Sequence, residues 1–290
     1  MKNTDLPTPA EPRPFRISIN AGTLRDYEIP LEEQIELYAS AGFESAELWM
    51  TDIENFLSRG GSAREISDAL AARKIRLEGV LGFAKWLADA PEERRAGFEK
   101  LKREVDIVSE LGGRTIAATG MGMGELDRSK FVSYAQSYRE ILDYAAPKNV
   151  TPLLELWGHR ALCRLEDLAH IAILAGRERA NFLLDFYHLY RGGNSFESLA
   201  QINISKLTVI HLNDYPAFPE RGKLTDADRV FAGDGACPFG KILPMLAENG
   251  FKGALSVELF NKGYMQKMSP LQLLETCRTK AVSLIKGFDL

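Results

Sequence analysis

Four residues able to do chemistry each close a short apolar run in the second half of the chain. Glu155 follows Pro152-Leu153-Leu154, Asp185 follows Phe182-Leu183-Leu184, His211 follows Val209-Ile210, and Glu258 follows Leu255-Ser256-Val257. Three carboxylates gathered in one place would repel one another and lose hydration, raising their pKa values unless a cation compensates. A divalent metal is the simplest compensator. Three carboxylate oxygens and one imidazole suit a hard or borderline ion, whether Mn2+, Zn2+, Mg2+ or Co2+, and leave positions for substrate oxygens. Any one of these residues taken alone reads as a polar strand end bonding a neighbouring loop. Four on consecutive runs argue for a shared ion.

That convergence needs a sheet that closes. Short β-rich runs alternate with longer segments of helical period: FRISIN from Phe15, SAELWM from Ser45, RLEGVLG from Arg76 and TIAATG from Thr115. TPLLELW from Thr151, NFLLDF from Asn181, LTVIHLND from Leu207 and GALSVELF from Gly253 continue the rhythm. Eight β/α units predict an α/β fold, a single (β/α)8 TIM barrel whose parallel sheet is covered by helices. FRISINAGTLRDY lacks the G-x-G-x-x-G turn of a doubly wound dinucleotide fold. Between the strands, Ser62 and Glu65 form a capping-box pattern, and Phe98, Leu101, Val105 and Val108 make a helical stripe stopped at Gly112-Gly113. Pro244 predicts a kink or a broken start in the seventh helix. In such a barrel the C-terminal strand ends surround the active site, which is where the four residues fall.

At 290 residues the chain has the usual length of such a barrel. We expect a catalytic domain over residues 15–290, preceded by a proline-rich flexible tail over residues 1–14 that lacks the apolar core of a signal peptide. Cytoplasmic residence is the default expectation. No apolar stretch approaches the roughly 20 residues of a membrane span. With 36 basic and 40 acidic residues, the net charge of −4 offers no general attraction to nucleic acid. Cys163, Cys237 and Cys277 are odd in number and widely spaced, and read as buried reduced thiols.

Other residues are expected near the site. His188, three positions past Asp185, is placed to donate to a substrate oxygen. His159 and Arg160 follow strand five, with Arg160 the better candidate for fixing the loop. Glu47 and Trp49 end strand two and Trp86 follows strand three; core packing is the plainer role for either tryptophan, an aromatic wall against a sugar the alternative. Arg229 lies in DYPAFPERGKLTDADRVFAGDG, too long for a plain connector and so a candidate lid. His170 reads as a structural residue in mid-helix.

The strings ELWGH, LLDFYH, GGNSFESL, HLNDYPAFP, LTDADRVFAGDG and LSVELF resemble the xylose isomerase-like barrel superfamily, particularly its 2-keto-myo-inositol isomerase branch and related sugar phosphate isomerase/epimerase proteins. The resemblance covers nearly the whole chain after the tail. It implies Glu155, Asp185, His211 and Glu258 as ligands of one divalent metal. It also implies His188, Arg229 and His159 as substrate contacts, and Glu155 and Glu258 as the proton-transfer pair; Glu47, at the end of strand two, is expected to contact substrate as well. One departure is Ala232, in RVFAGDG, where relatives commonly carry proline. The implied chemistry is proton transfer next to a carbonyl through an enediolate, on a small keto-polyol or sugar such as an inosose. A dehydratase-type lyase of the same fold is the alternative. An endonuclease IV-like enzyme is disfavoured because the chain has 4 histidines, and a non-catalytic sugar-binding barrel is the least motivated reading. A homo-oligomer is compatible with the sequence.

Overall fold

In the computed structural model, residues 15–288 are described; the tail expected over residues 1–14 lies outside them. Eight strands follow one another as β1 (Arg16–Asn20), β2 (Ser45–Trp49), β3 (Arg76–Leu81), β4 (Thr115–Ala118), β5 (Thr151–Glu155), β6 (Asn181–Asp185), β7 (Val209–Leu212) and β8 (Ala254–Val257). Each pairs in parallel with the next, and β1 pairs with β8, so the sheet closes into the expected barrel. The helices are α1 (Leu31–Ser40), α2 (Met50–Ser58), α3 (Ala63–Ala72), α4 (Pro91–Glu110), α5 (Phe131–Ala145), α6 (Leu165–Ala175), α7 (Phe186–Arg191), α8 (Phe239–Glu248), α9 (Lys262–Met265) and α10 (Pro270–Lys286).

Local chemistry sets the boundaries. Ser62 accepts from the Glu65 amide while Glu65 accepts from the Ser62 amide, the reciprocal cap that starts α3. α6 ends on Gly176 in the left-handed region. α8 runs uninterrupted with Pro244 inside it, so the expected broken start is absent. Five residues of helix, Phe239 to Leu243, precede the proline, which itself brings no N–H to the ladder.

Side chains alternate across each strand, so residues two apart share a face. Leu81, Ala117, Leu153, Leu183, Val209 and Ala254 point inward and form a small buried plug in the barrel. One period further along β5, β6 and β7, the same face presents Glu155, Asp185 and His211; two periods past Ala254 it presents Glu258. The pairing register sets Asp185 beside His211 and His211 beside Ser256. A much larger apolar cluster fills the layer between sheet and helices. Among the described residues, no helix is long and apolar enough to cross a membrane.

Candidate metal centre

Asp185, His211 and Glu258 are all buried and offer ligand atoms that lie within 4.8 Å of one another. Glu155 stands outside this trio but lines the same cavity, and its Oε2 is buried without a hydrogen-bond partner. The surroundings of His211 orient it. Its Nε2 faces Glu47 Oε2 at 3.1 Å and Asn20 Nδ2 at 3.3 Å. Its Nδ1 points the other way, 3.4 Å from Glu258 and 3.7 Å from Asp185, and makes no hydrogen bond of good geometry. A histidine held at one nitrogen by a carboxylate and bare at the other, toward two more carboxylates, has the form of a metal ligand. The orphaned His211 Nδ1 and Glu155 Oε2 fit a divalent ion, as does the donor chemistry of the set.

Asp185 is fixed from its far side. Its Oδ1 accepts from the His188 amide at 2.7 Å, capping α7, and its Oδ2 accepts from Asn213 Nδ2 at 2.6 Å. Asn213 in turn accepts from the Tyr187 amide. Arg229 is wholly buried and binds four partners. Nη1 donates to Glu258 Oε2 at 2.7 Å and Asp185 Oδ2 at 3.2 Å, while Nη2 donates to Asp226 Oδ1 at 2.8 Å and lies 3.1 Å from His188 Nε2. Its guanidinium is 4.6 Å from the Tyr187 ring centroid and 4.7 Å from that of Phe260.

A cavity of about 180 Å3 opens above these groups. Trp49, Phe83, Trp157 and Phe260 form its aromatic wall, and Glu155, Glu258, His159, His188 and Asp226, with Arg25 and Arg160, supply its polar atoms. Trp49 therefore lines the site, where core packing was the plainer expectation, and Nε1 anchors it to Asn20 Oδ1. Trp86 is core, donating to the Thr119 carbonyl. His159 is exposed at the mouth, 3.9 Å from Asp226. Two expected substrate contacts sit elsewhere. Glu47 backs His211 from below, and Arg229 lies behind Glu258 and Asp185, with neither side chain on the cavity wall. The long segment after β7 is tied down, because the Asp214 carboxylate accepts from the amides of Tyr215, Gly233, Gly235 and Cys237. Cys163 and Cys237 are only half-buried, whereas Cys277 is buried; all three are free thiols.

Burial and charge separate the two glutamates. Burial is the larger influence on Glu155 and, with Glu258 nearby, outweighs His211 to push its carboxyl up to about 8. Burial would also raise Glu258, but His211 and Arg229 outweigh it and hold that carboxylate below its ordinary range. For His211 burial disfavours the charge, yet Glu258 and Glu47 prevail and raise it well above the usual imidazole value. His188 moves the opposite way. Burial and then Arg229 push it well below, so it is neutral, and with Nε2 accepting from Arg229 the ring proton falls on Nδ1.

Asn20, Asn213, Asp226 and Phe260 were missed in the sequence. Asn20 closes β1 as a polar strand end and was findable by the rule that picked out Glu155. Asp226 and Phe260 carry no such local signal, since only the folded loops bring them in.

The comparisons agree with this fold. An inosose isomerase of Halalkalibacterium halodurans is 34% identical over 155 residues, 52% of this chain and 54% of that protein; the chain thus spans about half the length of such relatives. A 3-dehydroshikimate dehydratase of Pseudomonas aeruginosa is 23% identical over 243 residues, 81% of this chain and 37% of that one. The crystal structure of the IOLI protein with a bound zinc atom superposes with a TM-score of 0.86 at 24% identity, covering 94% of this chain and 99% of that one. The model of the xylose isomerase-like TIM barrel family matches residues 35–278. Closed barrel, inward carboxylates and this match together make the chain a member of the xylose isomerase-like TIM barrel family.

Proposed function

We propose that the protein is a divalent-metal-dependent isomerase or epimerase of a small keto-polyol or sugar, with an inosose as first substrate, working by proton transfer through an enediolate. The observation that carries this reading is the meeting of Asp185, His211 and Glu258 at the strand ends, with Glu155 lining the same cavity. Asp185, His211 and Glu258, joined by Glu155, would hold one ion of the Mn2+, Zn2+, Mg2+ or Co2+ type, which when bound polarises substrate carbonyl and hydroxyl oxygens.

The side chains divide the remaining work. Glu155 and Glu258 both line the cavity in which the substrate would lie. Glu258, paired with Arg229, is suited to take a proton from the carbon next to the carbonyl. Glu155 is suited to return one to the neighbouring carbon. His188 donates its Nδ1–H to a substrate oxygen. The aromatic wall packs the apolar face of the ring and excludes water. His159 contacts the far end of the substrate at the mouth.

The test is incorporation of solvent deuterium into candidate ketoses and inososes, followed by NMR. Exchange in the wild type and its loss in Glu155→Gln and Glu258→Gln is the expected result. Absence of exchange with every ketose and inosose tried would count decisively against the reading. The likeness to a 3-dehydroshikimate dehydratase over 243 residues favours a second reading, a lyase in which the enediolate expels a neighbouring hydroxyl as water. Product mass separates them, since only dehydration removes the mass of water.

A further inference from the structure

Two clusters of potential ligands meet at this site, and one side chain stands between them. Asp185, His211 and Glu258 form the first; His159, His188 and Asp226 form the second, again with donor atoms within 4.8 Å of one another. Arg229 binds members of both. Nη1 bridges Glu258 and Asp185 of the first cluster, and Nη2 reaches Asp226 and His188 of the second. We propose that Arg229 is a resident cation that occupies the seat of a second divalent ion and so limits the site to one.

The physical case rests on charge, fixity and competition. A guanidinium does not lose its proton in a protein, so this positive charge is permanent. Its planar fork satisfies one oxygen of each carboxylate and one nitrogen of His188, groups a second ion would otherwise claim. Complete burial and the flanking rings of Tyr187 and Phe260 keep it from swinging away. A second divalent ion beside it would meet like charge at low dielectric. His188 Nδ1 is buried and unpartnered, so donor capacity remains in the second cluster that Arg229 leaves for a neutral substrate oxygen. Arg229 acts here as a positioning residue. The inference rests on the reading that the first cluster holds one ion.

The experiment counts ions. Purified wild type, Arg229→Met, Arg229→Lys and the double variant Arg229→Met with Asp226→Asn are titrated with Mn2+. Bound metal is measured by mass spectrometry after gel filtration, and its spin coupling by electron paramagnetic resonance. Wild type and Arg229→Lys should hold a single uncoupled ion. Arg229→Met, whose flexible apolar chain suits the space between the two rings, should hold a coupled pair, with its second ion bound at least tenfold more tightly than any secondary binding by wild type. Adding Asp226→Asn should return the count to one. Two ions in wild type or in Arg229→Lys would overturn the proposal, whether or not Arg229→Met folds. A folded Arg229→Met that saturates at one ion would overturn it too. No ion at all in wild type would sink the underlying metal reading instead, a distinguishable failure.

Discussion

The two halves of the barrel share one geometry and use it differently. Strands β5 and β6 end in Glu155 and Asp185, β7 ends one residue past His211 and β8 just before Glu258, each a potential ligand. Strands β1 to β4 end in Asn20, Trp49, Leu81 and Ala118, which orient or enclose. The first half meets the second where Asn20 and Glu47 turn His211, and where Trp49 and Phe83 wall the cavity. Two buried carboxylates, one from each half, show what a counter-charge does. Glu258 is ringed by Arg229 and His211 and stays ionised. Glu104, on α4 behind β3 and β4, has Lys100 at 3.4 Å but makes no hydrogen bond, and burial pushes its carboxyl up to about 7. A charge is built in where two cations converge, and merely tolerated where one half-exposed lysine stands nearby.

The sharpest way to break this contrast is in the second half. Glu258→Gln removes a proton-transfer group and leaves Arg229 short of a buried counter-charge; turnover should fall by roughly 10³-fold, within the range of a lost general base, as steady-state kinetics would reveal. Activity within a few-fold of wild type would place the chemistry elsewhere.

Next in size is Glu104. The folded chain keeps that proton up to about pH 7, whereas an unfolded chain releases it near 4.5, so stability falls as pH rises through that window. Glu104→Gln should abolish the fall and stabilise the protein by up to about 3 kcal/mol at pH 8, with little change at pH 4. Thermal unfolding at both pH values checks it; equal shifts at each would contradict the buried-charge account.

Glu47→Gln tests the junction of the halves. Loss of the carboxylate behind His211 should weaken metal affinity by about 10- to 100-fold while leaving the ligands intact, measurable by calorimetric titration with Mn2+ or Zn2+. Unchanged affinity would return Glu47 to the role of a substrate contact. The smallest effect is expected at His170, which is exposed on α6 and meets the Phe131 ring at a tilt, with ring centroids 4.5 Å apart. His170→Ala should change stability by no more than about 0.5 kcal/mol and exchange activity not at all.

Much of this was legible before the fold was known. Apolar runs of strand length, helical stripes, the Ser62–Glu65 cap and four polar residues at strand ends are local patterns, and local pattern decides element type and which face a side chain takes. The partners of those residues were not legible, because they lie far off in the chain. Arg229 and Glu47 look alike in sequence, as charged groups near a strand end or in a loop, and both resembled substrate contacts. Only barrel closure, which sets β1 and β2 against β7 and folds the β7–α8 segment back over β6 and β8, puts Glu47 behind a histidine and Arg229 between two ligand clusters. Periodicity along one strand carries no information about which distant charge will be buried beside it, and it is that pairing across the barrel that tunes each group.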